Sequence, residues 1–145
     1  MIRKFETDDT EAVMTVWRSA SDLAHPFLSE EFQQRAERLT RDIYLKMAET
    51  WVCEQDGQVV GFIGLLDDLI GGLFVHPDCH GQGIGRALVD KAVTLKGDLV
   101  VEVFVDNPIG RRFYAAYGFE GEKQVNDPHS GFPLLRLRFR TQKTQ

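Results

Sequence analysis

The stretch Val75-His76-Pro77-Asp78-Cys79-His80-Gly81-Gln82-Gly83-Ile84-Gly85-Arg86-Ala87-Leu88 decides how this chain is read. It joins a strand-like segment, 70–75, to a helix-like segment, 84–95. Glycines are costly at a helix start, because folding removes the backbone freedom each one adds. Here they leave N–H groups uncovered where the helix dipole already favours negative charge. An anionic, phosphate-bearing ligand is therefore expected. A plain glycine-rich helix entry is the alternative.

Before the loop the chain has the period of strands. Segments 51–54 and 58–66 flank Asp56-Gly57, a pair suited to the positive φ angles of a type I′ hairpin turn. Asp67-Asp68 marks a second turn, so three antiparallel strands precede the glycines. Further back, 2–5 reads as a strand and Asp8 as a helix cap. Val13, Val16, Trp17, Ala20 and Ala24 then recur at helical spacing up to Pro26. Ser29 can cap a second helix whose apolar face is Phe32, Ala36, Leu39, Ile43 and Met47.

After the loop, Ile84, Leu88, Ala92 and Leu95 share one helix face, and Gly97-Asp98 ends it. Segment 99–105 is apolar except for Glu102, the pattern of a strand covered on both faces. Asn107 can cap a helix with Pro108 at its first position and Gly118 just past its end. A hairpin of 120–125 and 134–140 closes the chain, with Leu135, Leu137 and Phe139 alternating with Arg136, Arg138 and Arg140. The order βααβββαβαββ predicts one α/β domain, 1–145, with a mixed, mostly antiparallel sheet of about seven strands and four helices.

Bulk composition narrows the function. Apolar and charged fractions of 43% and 27% are those of a globular chain. A net charge of -5 argues against nucleic acid as a partner. No apolar run approaches the ~18 residues of a membrane span. The start, Met1 to Asp9, has no apolar signal segment, and Cys53 and Cys79 are too few for a disulfide scaffold. A cytoplasmic protein, monomer or homodimer, is expected.

Gly85-Arg86-Ala87 lacks the Lys-Ser/Thr of a P-loop. A dinucleotide fingerprint needs glycine where Arg86 stands, and a parallel strand before it. The stretch instead resembles the acetyl-CoA motif of the GCN5-related N-acetyltransferase (GNAT) superfamily: Arg or Gln, two residues, Gly, one residue, then Gly or Ala. Gly83 and Gly85 match; His80 replaces the first residue. Glu102-Val103-Phe104-Val105-Asp106-Asn107, followed by Phe113-Tyr114-Ala115-Ala116-Tyr117-Gly118-Phe119, resembles the family's second signature.

The resemblance implies an acetyl-CoA-dependent transferase that acetylates a primary amine, of a small molecule or a protein, by direct transfer. A non-catalytic acyl-CoA-binding module of the same fold is the alternative. Backbone N–H groups of Gly81, Gln82, Gly83, Ile84, Gly85 and Arg86 are expected to cradle the pyrophosphate. Those of Leu73, Phe74 and Val75 would meet the pantetheine, with a Phe74–Val75 bulge aimed at the oxyanion. Gly71-Gly72 suits a bulge, a close ligand approach or a simple kink.

Tyr114 is the expected acid, since a phenol is protonated at neutral pH and can donate to a departing thiolate. Tyr117 competes for the role, and a core aromatic is the alternative for Tyr114. Glu102 matches the base of the ribosomal-protein acetyltransferase branch, and burial would raise its pKa toward that task. A structural carboxylate is its alternative. Asn107 would cap its helix and touch the cofactor. His25 and Phe27 would line the acceptor pocket. No metal is expected from His76, Cys79 and His80, since a fourth ligand is unplaced.

Overall fold

The computed structural model describes residues 1–141, and of residue 122 the backbone only. One seven-stranded sheet runs through the molecule in the order β1-β2-β3-β4-β5-β7-β6. The strands are β1 (Ile2–Lys4), β2 (Glu49–Gln55), β3 (Gln58–Leu66), β4 (Leu69–Val75), β5 (Leu99–Phe104), β6 (Glu120–Asn126) and β7 (Pro133–Phe139). Every neighbouring pair is antiparallel except β4 and β5. Four main helices, α1 (Thr10–Ala24), α2 (Glu30–Leu39), α3 (Ile84–Lys96) and α4 (Pro108–Tyr117), complete the expected order.

Local chemistry sets most boundaries. Asp56 and Gly57 turn the β2–β3 hairpin at φ 51 and 78. Ser29 accepts from the Phe32 N–H, and Asn107 accepts from the Gly110 N–H, capping α2 and α4. Asp8 caps nothing: a short 3-10 turn, Thr7–Asp9, precedes α1. The working carboxylate is Asp9, held by both terminal nitrogens of Arg3 at 2.8 Å.

The second helix departs from its expected face. Leu39, Ile43 and Met47 are exposed, while Tyr44 and Leu45 turn inward. Leu39 is already exposed at the end of the regular α-helix; beyond it Ile43 and Met47 are turned out by a π turn, Thr40–Tyr44, followed by a last α turn, Leu45–Met47. One extra residue per turn shifts the phase, so a constant 3.6-residue stripe no longer follows the core. Tyr44 then lies over Gly64 and Gly71, where any side chain would collide with its ring. Gly71 is the extra residue of a bulge: Gly64 pairs with Gly72, yet Leu65 pairs with Ile70.

Two cores flank the sheet. On one face α3 and α4 bury Leu88, Val89 and Ala92 with Ile63, Leu65, Leu99, Val101 and Tyr114. On the other, Val13, Val16 and Trp17 of α1 pack with Leu45, Val52 and Phe62. The alternation of β5 sends Val101 and Val103 to the α4 face, leaving Glu102 and Phe104 on the α1–α2 face.

Candidate active site

β4 and β5 share two rungs, Leu69 with Val100 and Ile70 with Val101, and part beyond them. A cleft of about 630 Å³ opens there. It runs between β4, the glycine loop, β5, the end of α1 and the start of α4.

The β4 edge of the cleft follows from ladder alternation. His76 donates its N–H to Val60, and Phe62 opposes Phe74. Hydrogen-bonded pairs recur every second residue, so Phe74 spends its backbone on β3 while Leu73 and Val75 face the gap. Two expectations are corrected here. Phe74 offers its side chain to the cleft rather than its N–H, and the bulge lies at Gly71 rather than at Phe74–Val75.

The loop is shaped for an anion. Gly81 and Gly83 hold φ of +81° and +80°, with open space where a Cβ would stand. Gly83 caps α3 with no side-chain acceptor. The first amides of the helix therefore keep their donors for something outside it. Gly81, Gly83, Ile84, Gly85 and Arg86 line the cleft. These features fit a pyrophosphate.

Gly85 answers a different need: a Cβ there would stand 3.0 Å from the Phe113 ring, so its absence lets α3 and α4 approach. The Gln82 side chain turns outward and accepts from Gln55 at 3.3 Å. His80 folds back, its Nε2 3.0 Å from the Val75 carbonyl oxygen. A carbonyl only accepts, so Nε2 carries the proton and the ring ties the loop to the end of β4. His76 accepts from the Asp78 amide. Among the described residues no three His, Cys, Asp or Glu side chains gather as a metal site.

Tyr114 lines the cleft from the α4 face and is 6% exposed, edge-on to Phe113 and Phe119. Burial pushes its phenol well above the ordinary tyrosine range, so it stays protonated. Tyr117 is committed elsewhere: its hydroxyl donates to Asp90 at 2.6 Å and its ring lies under the Arg86 guanidinium. That bond ties α4 to α3.

Glu102 lines the cleft from the opposite face. The burial expected of it is absent: its side chain is 34% exposed, and Arg136 of β7 stands 3.5 Å from its Oε2. Strand geometry explains this, since β5 is covered on one face by helices but lies open beside the splay on the other. Asn107 is buried, and both halves of its amide are used. Oδ1 accepts from Gly110 at 2.9 Å and Nδ2 meets His25 Nε2 at 3.3 Å.

The two residues expected on the acceptor side lie just past α1, and of them only His25 lines the cleft. The His25 ring meets Phe27 at 5.9 Å and Phe104 at 5.0 Å, edge to face. Phe27 meets Phe132 of the β6–β7 loop at 5.0 Å. Phe104 carries no separate signal in the sequence, since an aromatic in a hydrophobic strand reads as core. Trp17, another residue of the first helix, packs on Phe74 in the core. Burial alone lowers the His25 pKa to about 4, so the ring is neutral at physiological pH.

A splayed strand pair, an uncapped glycine-rich helix start and a buried tyrosine across the cleft define an acyl-CoA transferase class of site. The acetyltransferase (GNAT) domain model matches residues 46–121. The peptidyl-lysine N-acetyltransferase YjaB of Salmonella typhimurium is 36% identical, over 94% of this chain and 95% of that protein. YiaC of Escherichia coli, also a peptidyl-lysine N-acetyltransferase, is 32% identical over 82% of each. The solution structure of apo YjaB from Escherichia coli superposes with a TM-score of 0.85 at 33% identity, covering 95% of both chains. PaiA N-acetyltransferase of Thermoplasma acidophilum, solved with coenzyme A, shares the fold at a TM-score of 0.81, covering 97% of this chain and 98% of that one at 19% identity. The chain belongs to the GNAT acetyltransferase family. It is an N-acetyltransferase that takes its acetyl group from acetyl-CoA and passes it to an amine.

Proposed function

We propose that the protein acetylates the ε-amino group of lysine in proteins or peptides, by direct transfer. The observation that carries this is the aromatic end of the cleft. His25 and Phe104 line it beside Glu102, with Phe27 edge-on to both and Phe132 edge-on to Phe27, a neutral, partly exposed aromatic group. A lysine stem is apolar up to its terminal nitrogen and suits such a wall. Relatives at 32% to 36% identity that bear the peptidyl-lysine name support the same choice.

Bound acetyl-CoA supplies an activated thioester. The loop amides from Gly81 to Arg86 hold its pyrophosphate, and Leu73 and Val75 receive the pantetheine as a sheet edge receives a strand. Glu102 accepts the proton that makes the acceptor a free amine, directly or through water. The amine nitrogen attacks the carbonyl carbon. The Val75 N–H faces the oxyanion, while its carbonyl is held by His80. The C–S bond breaks, the departing sulfur takes a hydrogen bond and then a proton from Tyr114, and the proton shed by the acylated nitrogen passes through water to the Tyr114 oxygen, restoring the phenol. Base and acid lie on opposite faces of the sheet, so both substrates can be present together and no covalent enzyme intermediate is needed. Cys53 and Cys79 are free thiols, which supports a cytoplasmic location.

The test is thiol release from acetyl-CoA across lysine peptides, polyamines and small amines. Turnover confined to lysine peptides is the expected result. Preference for a small amine overturns the acceptor assignment. Tight coenzyme A binding with no turnover on any amine points to a binding module.

A further inference from the structure

A chain of four polar side chains crosses the molecule just behind the aromatic wall. It begins at Asn107, the cap of α4, and passes through His25 at the end of α1 and Ser21 within α1. It ends at Gln33 of α2. Asn107, Ser21 and Gln33 are buried at 7%, 3% and 5% exposure, so each needs its partner.

The direction of every bond can be deduced. Asn107 Oδ1 is taken by the Gly110 N–H, so the amide offers Nδ2–H to His25 Nε2. Ser21 gives its hydroxyl proton to Gln33 Oε1 at 2.9 Å. Its oxygen must then accept from His25 Nδ1, 3.3 Å away. The imidazole is therefore neutral with its proton on Nδ1. A protonated ring would set N–H against N–H at Asn107.

We infer that His25 is a positioning residue that locks the acceptor loop, 25–29, to the cap of the catalytic helix. Its ring forms part of the wall, its Nδ1–H holds α1 and α2, and its Nε2 holds α4. The start of α4 carries Ile109, Gly110, Arg112 and Phe113 into the cleft, with Tyr114 one residue on. Gly110 packs so closely on Asn107 that a Cβ would stand 2.6 Å from its Nδ2. A shift of Asn107 thus passes directly to the first turn of α4. His25 sets the distance between the acceptor and the hydroxyl that serves the leaving sulfur. The kinetic part of this inference rests on the lysine-acceptor reading, while the link itself rests on geometry alone.

Two arms test it. In the first, His25→Phe keeps the aromatic wall and removes both hydrogen bonds. With a lysine peptide, kcat over acceptor KM should fall about tenfold or more, the size of effect one or two lost hydrogen bonds produce. The KM for acetyl-CoA should stay within about threefold. His25→Gln, whose amide oxygen can still accept from Asn107, should recover part of the loss. Asn107→Ser keeps a capping oxygen and drops the link, and adding it to His25→Phe should cost little more. In the second arm, hydrogen exchange follows the amides of 25–29 on adding coenzyme A alone. Protection should rise in the wild type and not in His25→Phe. Wild-type kinetics in His25→Phe, additive losses in the double variant, or loop protection that survives His25→Phe would each overturn the inference. If no lysine peptide is turned over while the exchange result holds, the acceptor reading fails and the link stands.

Discussion

His25 gives the folded protein a measurable acid weakness. Its pKa falls from 6.5 to about 4 because the ring is buried among Phe27, Phe104, Ser21 and Asn107. The unfolded chain therefore binds more protons than the folded one between these two values, and stability must fall as pH falls through that window. At pH 7 both states are mostly neutral. At pH 5 the unfolded imidazole is almost wholly protonated and the folded one about a tenth so, a difference worth about 2 kcal/mol. The carboxylates with lowered pKa, Asp9, Glu30, Glu49 and Asp98, release their stabilisation only at lower pH, so this interval isolates the histidine. Urea denaturation of wild type and His25→Phe at pH 7 and pH 5 reads the effect. The wild type should lose about 2 kcal/mol more than the variant over that interval. His25→Phe will be less stable at pH 7, since it leaves Asn107 Nδ2 without its His25 acceptor and takes one of the two bonds of Ser21, but the slope with pH separates that loss from the titration. Equal losses in the two proteins would show that the ring is already charged or solvated in the fold, and the deduced proton positions would be wrong.

Three further outcomes follow from the site. Tyr114→Phe removes one oxygen and keeps the ring against Phe113 and Phe119, so kcat should fall about 100-fold with acetyl-CoA affinity nearly unchanged; an unaltered kcat removes Tyr114 from the chemistry. Gly83→Ala imposes a left-handed conformation on alanine at about 1–2 kcal/mol, with no protein atom in the way. Calorimetric titration with coenzyme A should show weaker binding, because the new methyl enters the space above the loop, and wild-type affinity would mean that the loop is no cradle. Cys79→Ala should turn over acetyl-CoA at nearly the wild-type rate, and its inactivation with binding intact would require an acetyl-cysteine intermediate.

Much of this protein is legible in one dimension. Asp56-Gly57, Ser29, Asn107 and Gly118 mark turns and caps through bonds or φ angles that involve residues within a few positions. The alternation of β5 and β7 and the glycines at 81 and 83 are local in the same sense. Such signals depend on the backbone's own geometry and survive without knowledge of the partner segments. They suffice for the element order and for an anion site at the start of α3.

What depends on distant partners needed the tertiary structure. The exposure of Ile43 and Met47 follows from a π turn, made where Tyr44 finds space over Gly64 and Gly71 on two strands. Glu102 is open because β4 and β5 stay paired for only two rungs, and it meets Arg136 from a strand more than thirty residues later. The fate of the two α4 tyrosines turns on Asp90, which takes the Tyr117 hydroxyl, while Tyr114 lines the cleft. His25 and Asn107, 82 residues apart, are ordinary as a loop histidine and a helix cap until folding sets them 3.3 Å from each other. Sequence alone determined the class of chemistry, because the shape of the glycine loop at the start of α3 is locally encoded. The placement of acid, base and acceptor wall belongs to the tertiary structure, because side-chain contacts between remote segments decide which polar groups are spent and which remain to act.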